Sequence, residues 1–352
     1  MNSIKRVLSL VALAGATLIL SACERPPIES VQNGFRGTGM ASVYNPRTLA
    51  AEAEKNEVPA SIPAAADGPK AGAVYKNVKV LGNLSVAQFT NFMVSMTSWV
   101  APEQGCAYCH NVANFAEDAN YTKIVSRKMI QMTQRINVEW KSHVAETGVT
   151  CYTCHRGNNI PQNVWFTDPA KPQGSGFLSG KNGQNTPSPS VGLSDLPYDP
   201  FTPYLLKAEN IRMNGPTALP TGNKNSIQDT EKVFGLMVHM SKSLGVNCAY
   251  CHNTRSMPEW SQSPPQRMTA WYGIRMARDI NNNYMVPITN VFPAHRLGPE
   301  GDVAKANCAT CHQGAYKPLY GVSMLKDYPF LTGTPAPRAA PKSDEKKTVA
   351  MK

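Results

Sequence analysis

No stretch of this sequence is apolar for the ~20 residues that a membrane-spanning helix needs. Val7 to Leu20 comes nearest, and it is too short and too one-sided. Charge is sparse: only 17% of residues are Asp, Glu, Lys or Arg. The basic residues form no run interleaved with aromatics, which speaks against nucleic-acid binding. Histidine is scarce, with seven in 352 residues, so a site that consumes many imidazoles is excluded. Cysteine outside one repeated pattern is almost missing, and of nine cysteines only Cys23 stands apart. Pro and Gly, by contrast, total 53 residues. That is a loop-rich composition, as expected where cofactors supply much of the core.

The repeated pattern is C-x-x-C-H. It occurs as Cys106-Ala-Tyr-Cys109-His110, Cys151-Tyr-Thr-Cys154-His155, Cys248-Ala-Tyr-Cys251-His252 and Cys308-Ala-Thr-Cys311-His312. This pentapeptide is the attachment signal of c-type haem. Two thiols add to the porphyrin vinyl groups, and the adjacent imidazole becomes the proximal iron ligand. Four copies predict four covalently bound haem c groups. Zinc sites prefer closed sets of four ligands, such as two C-x-x-C pairs. Here a histidine follows its cysteine immediately in every copy.

Cys23 has its own explanation. Lys5 and Arg6, the apolar run and Leu20-Ser21-Ala22-Cys23 describe an export signal over 1–22. Leu-Ser-Ala-Cys resembles a lipoprotein box, with Cys23 as the lipid-bearing first residue of the mature chain. Acyl chains there would hold the protein on a membrane surface without a spanning helix. Formal charge is +11, or +9 once Lys5 and Arg6 are removed. A basic balance favours anionic headgroups or an acidic redox partner.

The motifs fall into two pairs, which predicts an internal duplication with two haems per half. Cys106-Ala-Tyr-Cys-His-Asn111 recurs as Cys248-Ala-Tyr-Cys-His-Asn253. Cys151-x-Thr-Cys-His-Arg-Gly157 recurs as Cys308-x-Thr-Cys-His-Gln-Gly314. Met93-Val-Ser-Met96 matches Met237-Val-His-Met240, and Arg135-Ile-Asn137 matches Asp279-Ile-Asn281. The layout reads as an N-terminal segment 23–84, a first dihaem half 85–165, a connection 166–226, a second dihaem half 227–331 and a disordered tail 332–352. Residues 171–226 read as a long surface connection.

A helix is predicted before each motif. Ser85-Val-Ala-Gln88 is a capping box ahead of Val86 to Val100. Asp118 to Glu146 has helical spacing and ends at Gly148. Asp229 to Leu244 ends at Gly245. Ser263-Pro-Pro opens a helix reaching about Tyr284. The fold class is therefore mainly α with much irregular loop, a multihaem cytochrome c with two pseudo-twofold-related haem pairs.

A six-coordinate carrier needs a distal ligand at each iron, usually Met or His. Four of the seven histidines belong to motifs, so His143, His239 and His295 remain. Methionine must therefore serve at least once. Met93 lies 13 residues before Cys106, Met129 lies 22 before Cys151 and Met237 lies 11 before Cys248. These are the candidates for the first three haems. Met96, Met132 and Met240, one turn away, are their rivals, and helical Met often only packs. Aligning Ile136-Asn137 with Ile280-Asn281 sets Met129 opposite Gly273, which empties the fourth ligand position. His143, Met276 and Met285 compete to fill it. His239 and His295 read as ordinary histidines.

With these residues in place, the chain resembles the tetrahaem cytochrome subunit of the photosynthetic reaction centres of purple bacteria. The resemblance rests on the paired motifs, Met93, Met129, Met237 and His143. It rests also on Val149 to Gly157, Pro265 to Met276 and Leu325-Lys-Asp-Tyr-Pro329. It implies His143 as the fourth distal ligand and a lipidated Cys23. It implies four haems in a row, with the third in sequence nearest the oxidised chlorophyll pair and Arg267 beside that haem. It implies electron relay at the periplasmic face of the inner membrane. The implied partners are the L and M subunits with their bacteriochlorophyll special pair. The donor would be a soluble cytochrome c or a high-potential iron–sulfur protein. The rival functions are a multihaem reductase, which needs an open iron, and an all-bis-histidine storage cytochrome, for which three spare histidines are too few.

Overall fold

The computed structural model describes residues 29–32, 41–61, 63–168, 187–214 and 223–333. The export signal, Cys23 and residues 334–352 of the tail lie outside them. Among the described residues, no helix is long and apolar enough to cross a membrane.

A short antiparallel hairpin, β1 (Glu29–Gln32) and β2 (Ala41–Tyr44), leads into helix α1 (Pro46–Lys55). Pro46 sits at the first helical position, and the Asn45 side chain accepts from the Arg47 amide, a favoured helix start. Helix α2 (Val86–Val100) begins at the expected box: Ser85 Oγ accepts from Gln88 N at 3.0 Å and Gln88 Oε1 from Ser85 N at 3.3 Å. Helix α3 spans Tyr121–Glu139, shorter than the expected 118–146. It breaks at Trp140, whose indole N–H donates to Asp279 Oδ2 at 2.8 Å. A separate turn, Lys141–Val144, carries His143 in a new direction. Helix α4 (Ile227–Leu244) starts two residues before the expected point, on a Ser226–Asp229 capping box, and closes at Gly245 with φ +64. Helix α5 (Gln266–Ile280) runs into a π turn at Asn281–Met285.

Among the described residues there are three apolar cores: one in each half, and a third, of Ile136, Val149, Met276 and Ile280, that joins them. Phe92, Trp99 and Ile130 pack with Leu319, Tyr328 and Leu331. Trp165, Phe201, Tyr204 and Leu205 pack with Leu236, Ile274 and Ala277. Each half is thus completed by a segment from beyond its expected bounds. The stretch 319–331 returns to the first half, and Trp165 with 201–205 crosses to the second. This corrects the reading of 171–226 as a surface connection, because Leu205 is fully buried and Tyr204 nearly so. Those aromatic and apolar side chains had to be placed somewhere dry.

The halves repeat their hydrogen bonds at matched positions. Asn137 donates to Val149 O at 2.9 Å and accepts from Val149 N at 2.7 Å. Asn281 does the same with Ala306, at 2.9 and 2.8 Å. Each clamps the residue two before a motif. Each also donates to the returning segment, Asn137 to Leu331 O and Asn281 to Leu205 O. Gly157 N bonds Trp99 O, and Gly314 N bonds Ser243 O, both at 2.8 Å. The motif turns are thereby fixed to the ends of α2 and α4.

Candidate haem-binding site

The first and third motifs start as single 3-10 turns, Gly105–Tyr108 and Cys248–Tyr250. The second and fourth form one α turn each, Cys151–His155 and Cys308–His312. Arg156 and Gln313 then take left-handed conformations, φ 49 and 47, followed by Gly157 and Gly314 at φ 81 and 85. Glycine suits these positions because a side chain there is strained. At Gly314 a Cβ would also run into the Glu52 carboxylate.

All four motif histidines are oriented in one way. His110 Nδ1 bonds Phe115 O at 3.3 Å, and His155 Nδ1 bonds Asn158 O at 2.8 Å. His252 Nδ1 bonds Met257 O at 3.0 Å, and His312 Nδ1 bonds Ala315 O at 2.9 Å. A carbonyl oxygen only accepts, so Nδ1 carries the proton and Nε2 the lone pair. Burial lowers the pKa of each ring, His312 to about 4, and so favours neutral imidazole. A neutral ring with its other nitrogen fixed is how a metal-ligating histidine is held. His143 follows the same rule: its Nδ1 bonds Thr269 O at 2.9 Å, and burial lowers its pKa.

The His143 ring lies over Gly273. A Cβ built there would stand 2.6 Å from His143 Cε1 and 3.1 Å from Nε2. The position opposite Met129 is empty because an imidazole from the other half occupies it. The His143 and His312 ring centres are 6.1 Å apart. His239 differs: it is buried, its Nε2 faces Ser243 Oγ at 3.2 Å, and its ring meets Phe201 edge-on. His295 sits in a surface turn, Ala294–Arg296.

A continuous cavity of about 1050 Å³ joins these groups, at the top of the ~300–1,000 Å³ range of single small-molecule sites. Cys106, Cys109, Cys151, Cys154, Cys308 and Cys311 line it, with His110, His155, His312 and His143. Met93 and Met129 are on its wall, as are the rivals Met96, Met132, Met240, Met276 and Met285. Thr97 and Thr133 hydroxyls bond the Met93 and Met129 carbonyls at 2.9 and 3.0 Å, a matched feature one turn on. Of the third motif, Tyr250 and Cys251 reach this wall. Cys248 and His252 stand off it, as does Met237, which packs with Met240 at the edge of the Trp165–Leu236 core. Arg267 lies by this third site, near enough for its charge to act on Cys251 and His252. It is held by Glu259 O, Pro258 O, Ser263 Oγ and the Trp260 ring, 4.2 Å away.

Burial pushes the Cys109 and Cys251 thiols up to about 11 and Cys151 and Cys308 to about 12. Among the described residues no group of three or more His, Cys, Asp or Glu side chains is placed to hold a metal ion between them. Arg296, on the cavity wall, is held through Nη1 by the Tyr121 and Tyr108 hydroxyls at 2.8 and 3.4 Å, while its buried Nε has no partner. An unpaired guanidinium edge beside the first motif suits a carboxylate. Neither this arginine nor the two asparagine clamps was recognised as functional from sequence. The recurrence of Ile-Asn was the available signal for the clamps, and no local signal marked Arg296.

The family model for the photosynthetic reaction centre cytochrome C subunit matches residues 24–332. The chain belongs to that family. It is 55% identical over 337 residues to a photosynthetic reaction center cytochrome c subunit of Rubrivivax gelatinosus, covering 95% of this chain and 92% of the relative. It is 51% identical to the subunit of that name from Thermochromatium tepidum, over 91% and 79% of the two chains. Identity to the Roseobacter denitrificans subunit is 40%, over 93% and 92%. Membership makes the chain a c-type cytochrome with covalently bound haem, acting in electron transfer at the photosynthetic reaction centre.

Proposed function

We propose that the chain is a four-haem wire from a soluble periplasmic donor to the photo-oxidised special pair. The observation that carries this reading is the common setting of five imidazoles. His110, His155, His252, His312 and His143 each give Nδ1–H to a backbone carbonyl and keep Nε2 for iron. Bound haem supplies a one-electron carrier at each motif. The residues do the rest: they fix spacing, exclude water and set potential through ligand, burial and charge.

The motif cysteines hold the porphyrins and the motif histidines ligate from one side. Met93, Met129 and Met237 complete the first three sites, and His143 completes the fourth. The centres of the His143 and His312 rings lie 6.1 Å apart, so both imidazoles would hold the fourth haem iron. Met237 shares its distance from the main cavity with Cys248 and His252, which supports a separate third site ahead of Met240. Arg296 would take a propionate at the first site.

Two dihaem halves related by a pseudo-twofold fit the repeated clamps. Cys154 and Cys311 touch, Arg156 Nη2 donates to Cys311 O, and Gln313 Nε2 donates to Cys154 O. The second and fourth sites therefore occupy the middle of the row, with the first and third at its ends. The third end, with Arg267, would face the L and M subunits. Either a small cytochrome c or a high-potential iron–sulfur protein would reduce the row. Lipid on Cys23 would hold the protein to the periplasmic face of the membrane.

Flash excitation of membranes tests the relay. Haem α-band bleaching should follow the flash, and absence of bleaching overturns the assignment. Carbon monoxide should not bind the reduced protein; ready binding would favour the reductase reading, which needs an open iron.

A further inference from the structure

The first site differs from the other three in what surrounds its histidine. The Phe115 carbonyl that holds His110 Nδ1 also accepts from Lys123 Nζ at 2.8 Å. Lys123 is buried, with its side chain 8% exposed. Its ammonium also bonds Glu117 O at 2.7 Å and lies 3.2 Å from Asp118. That carboxylate is shared with Lys79 and Arg127, so three cations surround one anion. At the third site the nearest cation behaves differently. Arg267 bonds the Pro258 and Glu259 carbonyls and leaves Met257 O to His252. For His155 and His312 the acceptors are Asn158 O and Ala315 O. Among the described residues, only His110 of the four shares its acceptor with a charged donor.

A proximal imidazole that gives its proton strongly to a carbonyl becomes a more basic ligand and favours the oxidised iron. A carbonyl already drawn to an ammonium is a weaker acceptor, and the buried positive charge itself favours the reduced state. We propose that Lys123 is a positioning residue that raises the midpoint potential of the haem on Cys106 and Cys109, acting through the Phe115 carbonyl and His110. This rests on the haem reading of that motif.

Spectroelectrochemical titration of the full-length haem-loaded protein tests it, with mass spectrometry counting the haems. Lys123→Met should lower one midpoint only, by a three- to tenfold change in the reduction constant. Tenfold is 59 mV for one electron. The low-spin EPR g values of the same haem should shift. Lys79→Met is the control, because Lys79 bonds Asp118 but not Phe115, and it should move that midpoint by less than a third as much. Asp118→Asn removes an anion and should raise the same midpoint. It decides the matter where Lys123→Met does not accumulate. An unmoved midpoint in Lys123→Met with all haems attached overturns the proposal, as does an equal shift in Lys79→Met or a fall in Asp118→Asn. A wild-type protein without haem on the first motif overturns the haem reading instead.

Discussion

Arg135 and Asp279 each stand immediately before an Ile-Asn pair, and they bind each other. Arg135 Nε lies 3.3 Å from Asp279 Oδ2, and both side chains are 5% exposed. Two like charges at these positions would repel in the dry interior, so opposite signs let them meet there. Cys154 and Cys311, which hold the same place in two motifs, also meet.

Arg135 also pairs with Glu139, so removing the Asp279 charge weakens the compensation of the buried guanidinium without abolishing it. Asp279→Asn should destabilise the protein by about 1–3 kcal/mol. Arg135→Met combined with Asp279→Leu should restore most of the loss. Denaturant unfolding of the three proteins measures both effects, and a loss under 1 kcal/mol in Asp279→Asn would remove the pair from any role in joining the halves.

His143 and Gly273 make a second linked pair. Methionine ligation raises haem potential relative to histidine, so His143→Met should raise one midpoint and leave three unmoved. Gly273→Ala sets a methyl group against the imidazole and should displace it, giving a mixed or high-spin signal from the same haem in EPR. A titration curve unchanged in both variants would show that His143 is not a ligand.

The methionine assignments separate by the same method. Met237→His should lower one midpoint, and Met240→Leu should leave all four in place. The reverse outcome transfers the third ligand to Met240.

Asp118 makes acid stability measurable. Its contacts with Arg127, Lys79 and Lys123 hold its carboxyl well below the usual carboxylate range. A depressed folded pKa adds stability that is present above the unfolded value, ~3.9, and is lost as pH falls below it. Asp118→Asn should therefore be less stable than wild type near pH 7, by about 1–2 kcal/mol after solvent screening. The gap should narrow as pH falls below about 4 and keep narrowing down to the depressed folded pKa. Unfolding curves over that range check it, and a gap of constant size would refute the linkage.

Local chemistry was the legible part of this chain. The Ser85–Gln88 box, the Gly245 stop and the open place at Gly273 opposite Met129 each depend on a few neighbouring residues, and the structure shows each where those residues set it. The break of α3 at Trp140 was not legible. The helical spacing continues through it, and its cause, Asp279, is 139 residues away. The burial of 201–205 was hidden for a similar reason: a Pro- and Asn-rich setting looks like surface until Trp165 and Leu236 are seen beside it. Arg296 and Lys123 carry no signature because a single cation means nothing until its neighbours in space are known.

The mass of the purified native protein tests the central claim most directly. The account expects the processed chain plus four haems. A mass with fewer than four, from protein made by cells that mature c-type cytochromes, would contradict it.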